Sequence, residues 1–328
     1  MEIAWFGLVV LCWVLFSALE GFDFGVGMLA PVLGRDDHER GAAIRTVGPV
    51  WDGNEVWLVA AIGVTFAAFP DWYAALLSGL YVPMVLVLLA LAARGVAIEF
   101  RGKVDTPAWR RRCEVTLAVS SFLTAGLFGA VLGLATTGLA LDPAGAVVGT
   151  GLERTLAPLV SGPALAGAAL GVLAALVQGA TFLGLRTTGP VRERARRAAV
   201  ASAVAAGVVA AGVGVAAGGT ALRSAVVVVL LAVAAAVAAA WRSEGAAFAA
   251  ATLGVVGAVV AAFTAHVPVV LPSTLDPASS LTISGAAASP YALTVITIGA
   301  VLILPGVVAY QAFSYWVFRR RVASERVA

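Results

Sequence analysis

Two carboxylates three residues apart, Glu20 and Asp23, lie inside an apolar run, "ALEGFDFGVGML" at 18–29. Helical residues at i and i+3 share a face, so the pair forms one acidic stripe. Carboxyl groups in a low-dielectric surrounding resist ionisation and can hold and pass a proton near neutral pH. Two more stretches carry the same chemistry. "WDGNEVW" supplies Asp52, Asn54 and Glu55 between Trp51 and Trp57, and "RGVAIEF" supplies Arg94 and Glu99. "VQGATF" adds Gln178 and Thr181. Such a set suits an ion or proton path. No phosphate-binding glycine loop and no nucleophile–base pair accompanies it.

Each group also has a plainer reading. Asp52, Glu55 and Glu99 fit helix caps at an interface, and the tryptophans fit an aromatic belt. Gln178 and Thr181 fit interhelical hydrogen bonding, and Gly21 and Gly25 fit close helix packing. Glu20 and Asp23 fit the plain reading least, because acids inside a membrane are rare and face a bundle interior or water. The residues leave two roles open for them, carrying protons or holding the bundle together. The histidines, His38 and His266, and the cysteines, Cys12 and Cys113, are too few and too scattered for a haem or transition-metal site. No metal or cofactor ligated by this chain is therefore expected, and no disulfide.

The elements that must position these residues follow from composition. Of 328 residues, 61% are hydrophobic and 12% charged, with a mean hydropathy of +0.99. That combination excludes a soluble domain and implies a polytopic all-α membrane protein. Apolar runs long enough to cross lie at 6–33, 53–70, 72–94, 114–139, 160–185, 198–219, 222–240, 246–270 and 291–317, which is nine spans. The sixth and seventh are separated only by "GGTALRS", so eight spans stand as an alternative. The first span lacks the basic start and small-residue cleavage site of a signal peptide.

All basic residues except Arg154 and Arg223 fall in alternate connections and the C-terminal tail. The positive-inside rule then puts the N-terminus outside and the C-terminus in the cytoplasm. The net charge of +3 therefore reflects membrane anchoring and not a nucleic-acid surface. In this orientation the carboxylates and Arg94 converge on the cytoplasmic half of the first three helices, with Asp52 nearest the surface. A proton-coupled secondary transporter and a purely structural scaffold remain alternatives at this level.

"GFDFGVGML", "WDGNEVWL", "FPDWYAALLSGLYVPMVLVLLAL", "RGVAIEFR", "QGATF", "PVVLPSTL" and "SPYALTVI" occur in that order along the chain. The sequence resembles subunit II of the cytochrome bd-type quinol oxidases of bacteria and archaea, most specifically in its first hundred residues. The resemblance implies two four-helix bundles, at 1–140 and within 141–328, with one peripheral helix in the second part. It implies a multi-pass protein of the cytoplasmic membrane, paired with a homologous subunit I that carries haems b and d, oxidises quinol near the outer face and reduces oxygen to water.

Subunit II would then be a non-catalytic partner. It would stabilise subunit I and offer protons a cytoplasmic route, with Asp52 at the entrance, Glu99 beside it and Asp23 inside. Glu20 stands where another member has aspartate. Small accessory subunits and a structural quinone occur in some members. The sixth connection is shorter here than in some members, which puts any role of that outer loop in doubt.

Overall fold

In hydrocarbon a backbone must satisfy its own hydrogen bonds, so apolar length becomes helix. The computed structural model describes residues 1–217 and 219–324 and is mostly helical. The long helices are α1 (Glu2–Leu33), α3 (Trp51–Ala68), α5 (Tyr81–Phe100), α6 (Pro107–Ala135), α8 (Gly162–Arg186), α9 (Gly189–Ala217), α10 (Gly219–Ala240), α11 (Glu244–Thr264) and α12 (Pro290–Val317). Shorter helices are α2 (Asp37–Arg45), α4 (Pro70–Gly79) and α7 (Gly151–Leu156). A hairpin of β1 (Val269–Leu271) and β2 (Leu281–Thr282) follows α11. Among the described residues, seven helices are long and apolar enough to cross a membrane: α1, α5, α6, α8, α9, α11 and α12. The first turn of α3 holds Asp52, Asn54 and Glu55, which lowers its apolar character. The described apolar run of α10 is Val226–Ala240, and the connection at Gly218 lies outside the described residues.

Three boundaries differ from the sequence expectation. The run at 72–94 is not one helix but α4 and α5, broken at Leu80. Pro83 explains the break, because its ring clashes with the carbonyl four residues back, which belongs to Gly79. α5 then continues to Phe100, so Arg94 is a buried helix residue and not a loop anchor. α11 ends at Thr264, and the residues expected to complete its span form the β1 side of the hairpin.

α1 is the spine, packing against α3, α6, α8 and α11. Helices in lipid gain little from apolar burial, so small residues and close backbones hold them. At the α1–α8 crossing a Cβ on Gly25 would stand 2.7 Å from Gly179 Cα. At the α6–α8 crossing a Cβ on Gly129 would stand 3.0 Å from Gly171 Cα. Phe22 stacks on Phe182 at 4.1 Å, and Phe16 meets Phe128 at 4.7 Å. α12 differs from the rest. Of its residues only Leu293 is fully buried, and its main helix contact is α3.

Several of the arginines expected as anchors are engaged with carboxylates. Glu114 on α6, only 1% exposed, meets Arg40 of α2 at 3.0 Å and Arg101 at 2.7 Å. Asp37 of α2 pairs with Arg101 at 2.6 Å and Arg110 at 2.9 Å. Glu39 of α2 pairs with Arg194 of α9 at 2.6 Å. Glu244 of α11 meets Arg192 at 2.7 Å and also Arg196. α2, capped by the Asp36 side chain accepting from Glu39 N–H at 2.8 Å, thus clasps α6 to α9.

Burial pushes the Glu39 carboxyl up, but the hydrogen bonds from Arg194 and from Arg35 N–H outweigh it and hold the carboxyl below its ordinary range. A carboxyl depressed on folding stabilises above its unfolded range, and that contribution is lost as pH falls through the folded range. Hydrogen exchange, corrected for intrinsic rates, should show Gly41–Ile44 protected at neutral pH and deprotected in acid. Glu39→Gln should remove that dependence. At the helix crossing, Gly25→Ala should lower the yield of assembled protein severalfold in detergent extraction. Gly245→Ala, which meets no atom within 4 Å, should not.

Candidate functional site

The site is built where the C-terminal halves of α1, α5 and α12 meet the first turns of α3. Arg94, from α5, is completely buried. Its Nη1 donates to Glu20 Oε1, Nη2 lies 3.8 Å from Asp23 Oδ2, and Nη1 lies 3.8 Å from Glu55 Oε2. The guanidinium also sits 5.0 Å from the Phe24 ring centroid. Glu20 and Asp23 are both 0% exposed, while the Glu55 side chain is 26% exposed. One buried cation therefore faces two buried carboxylates and a third, Glu55, that is partly exposed. Among the described residues no hydrogen-bond partner reaches Glu20 Oε2 or Asp23 Oδ1.

Asn54 connects this cluster to α12. Its Nδ2 donates to Asp23 Oδ2 at 2.8 Å and to Leu19 O at 3.4 Å. Its Oδ1 accepts from Gln311 Nε2 and from Tyr315 OH, each at 2.8 Å. From α8, Gln178 Nε2 donates to Ala18 O at 3.2 Å and occupies the space above Gly21. Thr181 is different: its hydroxyl donates to Val177 O and Gln178 O within its own helix and does not join the acids.

Towards the membrane surface, α3 and α5 frame an open groove lined by Trp51, Asp52, Glu55, Gly95 and Glu99, among others. Asp52 and Glu99 are exposed in it. Trp51 packs on Gly95, where a Cβ would come within 2.9 Å of the indole, and its Nε1 donates to Glu99 Oε1 at 3.4 Å. Glu55 is the residue common to the groove and the buried cluster.

Sequence reasoning brought Glu20, Asp23, Asn54, Glu55 and Arg94 to one half of the membrane, and the structure joins them in one network. Asp52 and Glu99 lie at the groove and make no direct contact with Glu20 or Asp23. Gln311 and Tyr315 were not anticipated. Their signal is a polar pair at i, i+4 in "YQAFSYW", on a helix otherwise apolar for most of its length.

No group of three or more His, Cys, Asp or Glu among the described residues could hold a metal ion. His38 lies in α2 and His266 in the turn after α11, while Cys12 and Cys113 are free and buried on separate helices. These residues do not fit a haem.

The family model described as cytochrome bd terminal oxidase subunit II matches residues 1–318. The chain is 36% identical over 329 residues to the cytochrome bd ubiquinol oxidase subunit 2 of Bacillus subtilis (strain 168), covering 97% of this chain and 96% of that one. It is 36% identical over 201 residues to the cytochrome bd-I ubiquinol oxidase subunit 2 of Escherichia coli (strain K12), covering 61% and 52% respectively. In fold it is similar to a chain from the structure of bd oxidase from Geobacillus thermodenitrificans, with a TM-score of 0.73 at 20% identity, covering 96% and 98%. The chain, with its apolar helices and its match from end to end, belongs to the cytochrome bd terminal oxidase subunit II family.

Proposed function

We propose that this chain is the haem-free, non-catalytic subunit of a quinol:oxygen oxidoreductase and carries protons from the cytoplasm into the complex. The observation that supports this reading most is the continuity from exposed Asp52 and Glu99, through half-buried Glu55, to Glu20 and Asp23 around Arg94. Asp52 gathers protons at the groove, with Glu99 beside it. Glu55 passes them inward, and the Glu20–Asp23 pair holds them. With every carboxyl ionised the cluster would bury excess negative charge. Binding one or two protons brings it towards neutrality without losing the Arg94 pairing.

Oxygen reduction to water consumes protons, and quinol oxidation releases them. Drawing the first from inside while the second leave outside builds a membrane potential without a pump. Haems b and d would belong to the partner subunit, which this chain stabilises.

The same reading takes nine spans, with α3 as the second, α4 and α5 together as the third, and α10 as the seventh. The N-terminus is then outside and the C-terminus cytoplasmic, in a bacterial or archaeal cell membrane. Two four-helix bundles divide near residue 140, and α12 is the peripheral helix. Its scant burial and its contact with α3 support that last assignment.

Steady-state oxygen consumption, normalised to assembled complex, tests the route. Asp23→Asn and Glu55→Gln should each lower turnover about tenfold or more, the scale of losing a positioned proton-transfer group. Apparent quinol KM should stay unchanged. Asp52→Asn should have a smaller effect, because Glu99 shares its groove. Lower abundance of complex with undiminished turnover would favour the scaffold alternative. Proton-coupled transport by the chain alone would favour the transporter.

A further inference from the structure

We infer that Gln311 and Tyr315 of α12 are positioning residues that hold the Asn54 amide in one orientation, as a hydrogen-bond donor to Asp23. This deepens the proton-uptake reading, but the hydrogen-bond logic does not require that reading to hold. An amide side chain can present either its oxygen or its NH2 to a neighbour. Here Asn54 Oδ1 accepts from both Gln311 Nε2 and Tyr315 OH at 2.8 Å, so its NH2 is the edge left for Asp23 Oδ2, also at 2.8 Å. With Gln311 held as it stands, turning the Asn54 amide over would bring two NH2 groups, those of Asn54 and Gln311, face to face. It would also withdraw the donor from Asp23. Asn54 is fully buried, so no bulk solvent replaces a missing partner.

The rest of α12 fits a helix whose register matters. At its outer end Trp5 Nε1 donates to Thr297 Oγ1 at 3.0 Å. Past its inner end the chain docks on the α8–α9 turn. Val322 N–H donates to Arg186 O at 2.8 Å, and Thr188 N–H donates to Val322 O at 3.1 Å. Between these anchors Gln311 and Tyr315, one turn apart, converge on a single oxygen. Gln311 also lies against Gly53, where a Cβ would stand 3.2 Å from its Oε1. The titratable and charged groups around Asp23 are Glu20 on α1, Glu55 on α3, Arg94 on α5 and Tyr315 on α12, with Arg186 of α8 facing Tyr315. Of these, Tyr315 acts on Asp23 through Asn54.

The test is infrared difference spectroscopy of the assembled complex across pH, with the Asp23 carboxylic-acid C=O band identified by its loss in Asp23→Asn. Tyr315→Phe keeps the ring and Gln311→Met keeps the length, so both should assemble, singly and together. The double variant should show the Asp23 acid band at a pH where the native complex lacks it, because Asn54 is then free to turn and accept from a protonated Asp23. The pH profile of turnover should move in parallel by about one unit, a tenfold change in proton affinity. Gly53→Ala, which crowds Gln311 from the other side, should give part of the same shift. An unchanged Asp23 band in the double variant overturns the inference. If the band moves while Asp23→Asn itself leaves turnover and proton uptake intact, the positioning role stands and the proton-uptake reading falls.

Discussion

Arg94 sets the constraint on which this end of the helix bundle depends. A guanidinium out of contact with water must be balanced by charge and hydrogen bonds, and the removal of one partner from a buried pair costs about 3–5 kcal/mol. Balancing it brings α1 to α5 through Glu20 and Asp23, and α3 to both through Glu55. Asn54 then links the cluster to α12. The polar contacts that anchor the bundle are thus the same contacts through which, on the proposed reading, protons would pass.

A second layer of charge lies outside the first. Glu114 and Glu244, both nearly buried, each draw in two or more arginines from neighbouring segments, and α2 connects the two groups through Arg40 and Glu39. Basic residues between the long helices therefore tie the helix ends together. Glycine crossings at Gly25–Gly179 and Gly129–Gly171 bring the backbones close enough for this polar layer to meet. The groove between α3 and α5 is left open at the surface, with Glu55 at its inner limit.

Much of this was legible in the chain because the governing signals are local. Apolar length marks the long helices, and the i, i+3 spacing of Glu20 and Asp23 puts them on one face. The charge pattern draws Asp52, Glu55, Arg94 and Glu99 to the same side. Other features depend on contacts between distant segments. Nothing near Arg94 says that α5 runs on past it, so a residue counted with the loop anchors proves to be the buried centre of the cluster. The split at Leu80 follows from Pro83 but is hidden by unbroken hydropathy on either side. Gln311 and Tyr315 come from a helix more than 250 residues away from Asn54 in sequence, and only packing pairs them. Thr181, by contrast, looks polar enough to join the site and instead bonds to its own helix.

On the proposed reading, protons enter the complex through this cluster. Time-resolved proton uptake on the reaction of the reduced, reconstituted complex with oxygen measures it directly. A pH indicator confined to the side of the membrane that bears Asp52 reports the uptake. The native complex should take up protons from that side in step with oxygen reduction, and Asp23→Asn should slow that uptake about tenfold or more while oxygen still binds at its native rate. Proton uptake in Asp23→Asn at the native rate and from the same side would contradict the account.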